Sequence, residues 1–442
     1  MKKLIESELS VDIVQQEKQS IKSRTSRQIL TILHRWAGLF LATFLFISGL
    51  TGAIISWDHE LDEWLNPQLF DRQSQGNPLS PLALADQLEA SDPKILVTWL
   101  PLSIEPEHNL GLGVTGRLDP DTGKAFDLSF NQIALDPVNG EIRGSRMWGE
   151  ISLTRENFLP FLYKLHYSMH IPDAFDIELG IVFMGILAIV WCIDCFIALW
   201  ISFPNFQTWR KSFAFRWQQG NYKLNFDLHR SGGVWIWVLL LILAVTAVSM
   251  NLKLEVTRPI ISLFSELTPD PFTTRTPNPH DEPIEPGIGR HEIIQLASAE
   301  AQRRNWTAPM GGMFYQPEFG IYGVTFHEPG DDHADYGLGN PWLYFDGQDG
   351  SYLGDRIPGS GSAGDIFLDA QFPLHSGRIL GLPGRIMISI LGLLVAMLSV
   401  TGVIIWQRKR VARAKITNHH YEPSPVGFNK SADADQKLTR KI

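Results

Sequence analysis

The sequence predicts a helical membrane protein of four spans, laid out twice on a two-span plan, with two α+β modules outside the bilayer. Three observations predict it: four long apolar stretches, clusters of basic residues in the two tails and in the short loop between the second and third stretches, and a repeated placement of histidines.

A helix that crosses a hydrocarbon core roughly 30 Å thick needs about 20 apolar residues. Residues 36–57, 179–203, 234–252 and 386–406 satisfy this, and Trp or Phe marks most of their ends, as in an interfacial belt. The first reaches roughly 33 Å at 1.5 Å per residue. It starts too late and runs too long for a cleaved leader, so it is expected to stay as an anchor.

Orientation follows from Lys and Arg. Lys2, Lys3, Lys18, Lys22, Arg24 and Arg27 lie in the N-terminal tail, and Arg210, Lys211, Arg216 and Lys223 in the loop between spans two and three. Arg408, Lys409, Arg410, Arg413 and Lys415 follow span four. Positive charge stays cytoplasmic. Tail 1–28, loop 204–231 and tail 408–442 are therefore expected inside, with segments 59–175 and 253–383 outside. The 47 acidic residues outnumber the 38 basic ones, for a net charge of -9, and concentrate in those external segments. Nucleic acid is not an expected partner.

The only cysteines, Cys192 and Cys195, both fall in span two. Phe196 follows them rather than the His of a covalent haem site, so they read as packing at i and i+3 on one helix face.

The chain reads as a duplication. His34 (ILHRWAG) and His229 (DLHRSGG), 195 residues apart, stand before spans one and three. His166 (KLHYSMH) and His375 (PLHSGRI), 209 apart, stand before spans two and four. Such repeats are common in membrane proteins, and the halves are expected to pack about a pseudo-two-fold axis along the membrane normal. The external segments resemble each other too. SPLALADQLEA reads as a helix before the strand KILVTWLPL, and HEIIQLASAEAQRRNW as a helix before GIYGVTF. Each segment closes on a hairpin, IALDPVNGEIRGSR or PWLYFDGQDGSYLGDR, whose Asn139-Gly140 and Asp349-Gly350 tolerate positive φ. The Pro-rich stretch 268–286 reads as an extended loop.

Neutral imidazole is a good axial ligand for haem iron, and a macrocycle with charged propionates suits a helix bundle near an interface. Topology pairs His34 with His229 at one face and His166 with His375 at the other, giving two bis-histidine haem b sites per chain. Filled axial positions favour electron relay over oxygen activation. Arg35, Arg230, Arg378 and Arg385 lie close after these histidines, where a guanidinium pairs with a propionate. The plain reading of any one such histidine is an interfacial side chain that snorkels; the fourfold pattern is what argues for haem.

His170, at i+4 from His166, is expected to face the same ligand from behind it. Asp194, inside span two, either orients an imidazole, carries a proton or pairs with a hydroxyl of a neighbouring helix. His59 reads as surface. Asp331, Asp332, His333 and Asp335 read as a solvated loop. Trp306, Phe314 and Tyr315 form either a ligand platform or ordinary core.

LHRWAGL, the LH before span two, DLHR and LHSGRILGLPGR resemble the histidine motifs of the PepSY-associated transmembrane family, and ALDPVNGEI and YFDGQDGSYLG resemble the ends of its PepSY modules. The resemblance covers about residues 28–410. It implies a bacterial inner-membrane protein with cytoplasmic termini and two periplasmic PepSY-like modules. It implies His34, His166, His229 and His375 as haem ligands, and reduction of a ferric siderophore or other ferric chelate in the periplasm. One departure is the longer run from His166 to span two, with Pro172 between them. No GxGxxG opens a βα unit, so the electron donor is expected to be a separate cytoplasmic reductase or quinol. Two alternatives stand beside this: a non-catalytic PepSY regulator or binding protein, and a quinol-linked cytochrome serving another periplasmic acceptor.

Overall fold

The computed structural model describes residues 25–419 except 176, 332, 333 and 335. The basic residues Lys2, Lys3, Lys18, Lys22 and Arg24, and the loop residues Asp332, His333 and Asp335, lie outside the described residues.

Helix α1 (Ser26–Ile55) opens on a capping box: the Thr25 hydroxyl accepts from the Gln28 backbone while the Gln28 side chain accepts from the Thr25 backbone. Ten residues of helix therefore precede Trp36. His34 lies within the helix and not at its mouth, because the cap sits further upstream than the apolar run suggests.

Helices α5 (Leu179–Ser202) and α10 (Leu382–His419) follow the same logic of long apolar composition. Stretch 234–252 departs from it. It is split between α6 (Asn221–Trp235) and α7 (Trp237–Asn251), which meet at a 69° bend. Ser231, Gly232 and Gly233 precede the break, and such small residues are a usual cause of sharp kinks. Two indole donors fasten its sides, Trp235 Nε1 to the Phe213 carbonyl at 3.1 Å and Trp237 Nε1 to the Cys195 carbonyl at 2.9 Å. Among the described residues, three helices are long and apolar enough to cross a membrane, or four if the bent pair forms one span.

Helices α1 and α10 touch at backbone distance. A Cβ on Gly49 would stand 2.5 Å from the Gly392 carbonyl oxygen, and one on Gly392 2.4 Å from that of Gly49. Small residues allow this approach, which packs helices where no hydrophobic force separates them from lipid. Cys195, Leu240, Leu243, Ile388, Leu391 and Val395 form the buried centre of the bundle.

The two external segments form one sheet rather than two separate modules. In chain order the strands are β1 (Ile95–Pro101), β2 (Leu110–Gly116), β3 (Gln132–Leu135) and β4 (Ile142–Arg146), then β5 (Met310–Gln316), β6 (Ile321–Phe326), β7 (Trp342–Asp346) and β8 (Tyr352–Arg356). They lie in the order β4-β3-β2-β1-β5-β6-β7-β8. The halves join where Trp99, Leu100 and Pro101 pair antiparallel with Phe314, Met313 and Gly312. Helices α3 (Pro81–Ser91) and α8 (Arg290–Arg303) contribute Leu84, Leu88, Ile293 and Ala297 to a shared core. The duplicated turns take the same form, with Gly140 and Gly350 both at φ +74°. Short helices return the chain to the bundle: α2 (Asp58–Leu65) after the first span, α4 (Phe158–Ser168) before the second and α9 (Gln371–Ser376) before the last.

Candidate cofactor sites

The four histidines meet as two pairs. At the end of the bundle far from the sheet, His34 on α1 and His229 on α6 bring their ring centres within 6.1 Å, with planes 47° apart. At the sheet-proximal end, His166 on α4 and His375 on α9 stand 6.2 Å apart with planes at 68°. His34 and Thr51, which contact opposite pairs, are 17 residues apart on one helix, so the pairs lie roughly 25 Å apart along it.

Each ring is held at Nδ1. Asp194 on α5 accepts from His34 Nδ1 at 2.9 and 3.0 Å. The Leu398 carbonyl lies 3.0 Å from His229 Nδ1 and Thr401 Oγ1 3.2 Å, both on α10. Thr51 Oγ1 lies 3.1 Å from His166 Nδ1, and Thr246 Oγ1 2.8 Å from His375 Nδ1. A carbonyl or carboxylate only accepts. The hydroxyls of Thr51, Thr246 and Thr401 are already donated to the carbonyls of Ile47, Ile242 and Met397, each at 2.8 Å, so they too accept. All four rings therefore carry a proton on Nδ1, which leaves Nε2 as the ring nitrogen turned to a ligand. No hydrogen bond among the described residues engages Nε2 of any of the four. Burial pushes the imidazoles of His166 and His375 down, to about 4 and about 3, which keeps both neutral.

Glycines make room for two of the rings. A Cβ on Gly52 would lie 2.9 Å from His166 Cε1, and one on Gly402 3.0 Å from His229 Cε1. Both follow a threonine that holds the same histidine, within LTGAII and VTGVII. That repeated Thr-Gly pair was a legible signal in the sequence that histidine spacing alone passes over.

The sheet-distal pair lines a cavity of about 430 Å³ walled by all four long segments, with Ala42, Trp191, Trp237 and Leu398 inside it. Arg35, Arg230, Lys409 and Arg413 stand along its lining. Nε of Arg35 and Nε of Arg230 are buried without a hydrogen-bond partner among the described residues. They follow the two histidines directly, and each has donor capacity to spare for an anion. Arg230 also donates to the Lys211 carbonyl at 2.6 Å, lies 3.7 Å from Asp227 and places its guanidinium over the Phe226 ring.

Other residues singled out by the sequence are placed differently. Arg385 donates to the Ser56 carbonyl at 3.0 and 2.8 Å and to Glu60 at 2.7 Å, with its guanidinium over Trp57. Arg378 is buried, 4.0 Å from Asp58. These two arginines tie the start of α10 to the corner between α1 and α2. His170 is not stacked beside His166 on one helix face, because α4 ends at Ser168 and Met169 turns left-handed at φ +53°. Its ring instead stacks on Phe161 and bonds the Phe161 carbonyl at 2.9 Å. His59 packs edge-on against Phe70. Cys195 is buried and Cys192 half-buried, both free. Among the described residues no three His, Cys, Asp or Glu side chains gather as a metal cluster.

A groove of about 770 Å³ opens against the sheet, reached by Trp99, Gly111, Phe314, Trp148, Tyr163 and Asp58. Its floor is β2, where Leu110, Leu112 and Val114 point into the core and Gly111 places no side chain; a Cβ there would meet nothing within 4 Å. Tyr163 lies one turn before His166 on α4 and packs edge-on against Trp148 at 5.7 Å. Burial raises the Tyr163 phenol above its usual range. Tyr315 lines this groove and also belongs to the core, while Trp306 packs on the core alone.

Residues 31–409 match the PepSY-associated TM region. The chain belongs to that family. The match runs from the first helix, just before His34, to the last, just beyond Thr401, so both histidine pairs and the sheet fall inside the PepSY-associated region. No curated protein matches the chain.

Proposed function

We propose that this PepSY-associated protein is a di-haem b electron carrier that spans a bacterial inner membrane through four segments, α6 and α7 forming the third. In this reading it takes electrons on the cytoplasmic face and reduces a ferric chelate, most simply a ferric siderophore, in the periplasm. The observation that carries it is the pairing of four imidazoles, each proton-bearing at Nδ1 and free at Nε2. A metal held between two imidazoles lies about 2 Å from each ring nitrogen, which brings the ring centres roughly 6 Å apart. The spacings of 6.1 and 6.2 Å suit that arrangement twice.

Held by such a pair of imidazoles, haem would supply a one-electron couple. The chain's own groups do the rest. Asp194, Thr51, Thr246 and the Leu398 carbonyl fix the rings and their tautomer, which raises ligand basicity. Arg35 and Arg230, with spare donors at the cavity, would hold propionate carboxylates. The apolar walls of the cavity would exclude water from a bound macrocycle. One electron reduces Fe(III) to Fe(II) in the chelate, whose hard oxygen donors hold the reduced ion far less well. Quinol releases two electrons and two protons, so it would serve two chelates; a cytoplasmic reductase is the other donor class. Basic residues Arg210, Lys211, Arg408 and Lys409 orient the sheet outward. The groove beside Tyr163 is then where an acceptor approaches the sheet-proximal pair.

The test uses full-length protein in detergent, reduced with dithionite, desalted without oxygen and mixed with a ferric siderophore. Reoxidation of the haem bands with one trapped Fe(II) per electron lost is the expected result. Bands that stay reduced across ferric chelates of several charges would refute ferric reduction and leave electron transfer to another acceptor.

A further inference from the structure

The four imidazoles differ in what holds them. Nδ1 of His166 and of His375 faces a hydroxyl, and Nδ1 of His229 a carbonyl and a hydroxyl. Only Nδ1 of His34 faces a carboxylate, that of Asp194. Asp194 is 7% exposed, and among the described residues its side-chain contacts of this kind run to His34 alone.

The duplication sharpens this contrast. Asp194 and Thr401 are 207 residues apart, in step with the histidine separations, and each holds a histidine of the preceding segment from the following one. The two halves make one contact in two chemistries, a hydroxyl in one and an acid in the other. Geometry alone does not demand the acid, since threonine does the same work at three places.

We propose that Asp194 gives electron flow its direction by holding the sheet-distal haem at a lower potential than the sheet-proximal one. The inference rests on the di-haem reading above. A carboxylate that accepts from the far nitrogen of a ligand imidazole pulls its proton and makes the ring a more basic, partly anionic donor. That stabilises the more highly charged ferric state, and hydrogen bonding of this kind is one of the protein's levers on haem potential. The effect is strong in a buried, low-dielectric setting. Arg35 and Arg230 oppose it, but they line the cavity beside the expected propionates, which offset their charge. Electrons delivered at the cytoplasmic face then run downhill to the sheet side. Asp194 acts through His34 and is a positioning residue.

The experiment is a spectroelectrochemical titration of the full-length protein, with haem content measured in parallel. His375→Ala, which keeps the sheet-distal site, is expected to titrate at lower potential than His229→Ala, which keeps the other. Asp194→Thr copies the duplicate half, so it should retain haem, raise the lower midpoint and leave the upper one in place; Asp194→Glu should keep the lower midpoint low. The reverse order in the single-site variants, or an unmoved midpoint in Asp194→Thr, overturns the inference while the di-haem reading stands. If Asp194→Thr fails to bind haem, the order in the two histidine variants decides. Wild-type protein without haem would remove the di-haem reading and this inference together.

Discussion

Thr246 Oγ1 lies 2.8 Å from Nδ1 of His375 while donating its own proton to the Ile242 carbonyl at 2.8 Å. The hydroxyl is thus an acceptor toward the ring, and Thr51 stands in the same relation to His166. Replacing either by valine leaves a buried ring N–H unpaired, which costs about 1–3 kcal/mol. Loss of such an outer partner typically lowers metal affinity about 10- to 100-fold. Thr246→Val and Thr51→Val are each expected to weaken the sheet-proximal haem and spare the sheet-distal one. Haem retention during dilution in detergent, followed by absorbance, checks this; equal loss at both sites would contradict it.

Arg35→Gln and Arg230→Gln should act at the opposite end. Each removes a guanidinium whose Nε has no hydrogen-bond partner among the described residues. A charge-assisted hydrogen bond to a carboxylate contributes about 1.5–3 kcal/mol, so haem affinity at the sheet-distal site should fall by roughly one to two orders of magnitude. Haem titration of apoprotein reads the change. Unchanged affinity in both variants would mean the propionates lie elsewhere.

Gly49→Ala and Gly392→Ala test the bundle itself. Each new methyl would meet a backbone carbonyl of the facing helix, where α1 and α10 touch. Overpacking of this kind costs about 1–3 kcal/mol. A lower melting temperature in detergent is expected, and a stability equal to wild type would show that these helices separate easily.

Gly111→Phe is expected to fill the floor of the groove without touching either histidine pair. Its backbone is not in the left-handed region and the space above it is open, so folding should survive. Ferric-chelate reduction should fall several-fold while haem content and midpoints stay constant. Full activity in this variant would move the acceptor away from the groove.

Much of this architecture was legible in residue patterns. The helix-strand order and both hairpin turns follow from periodicity and from glycine at positive φ, and Asp194 stood out as an acid in an apolar helix. The joining of β1 to β5 was not legible, since no local pattern encodes an edge pairing between segments some 200 residues apart. The break at Ile236 was hidden because the apolar run continues through it, and only Gly232 and Gly233 hint at the bend. His170 misled because i+4 reasoning assumes a helix that Met169 has already ended. Thr51, Thr246 and Thr401 were passed over because threonine in an apolar helix usually bonds its own backbone; these do so, and accept a second bond as well.

The most direct measurement is haem per polypeptide by pyridine haemochrome on purified wild type, His34→Ala and His375→Ala. Two separate bis-histidine sites predict about two haems in the wild type and about one in each variant. A colourless wild type from haem-replete cells, or complete loss in both variants, would contradict the account.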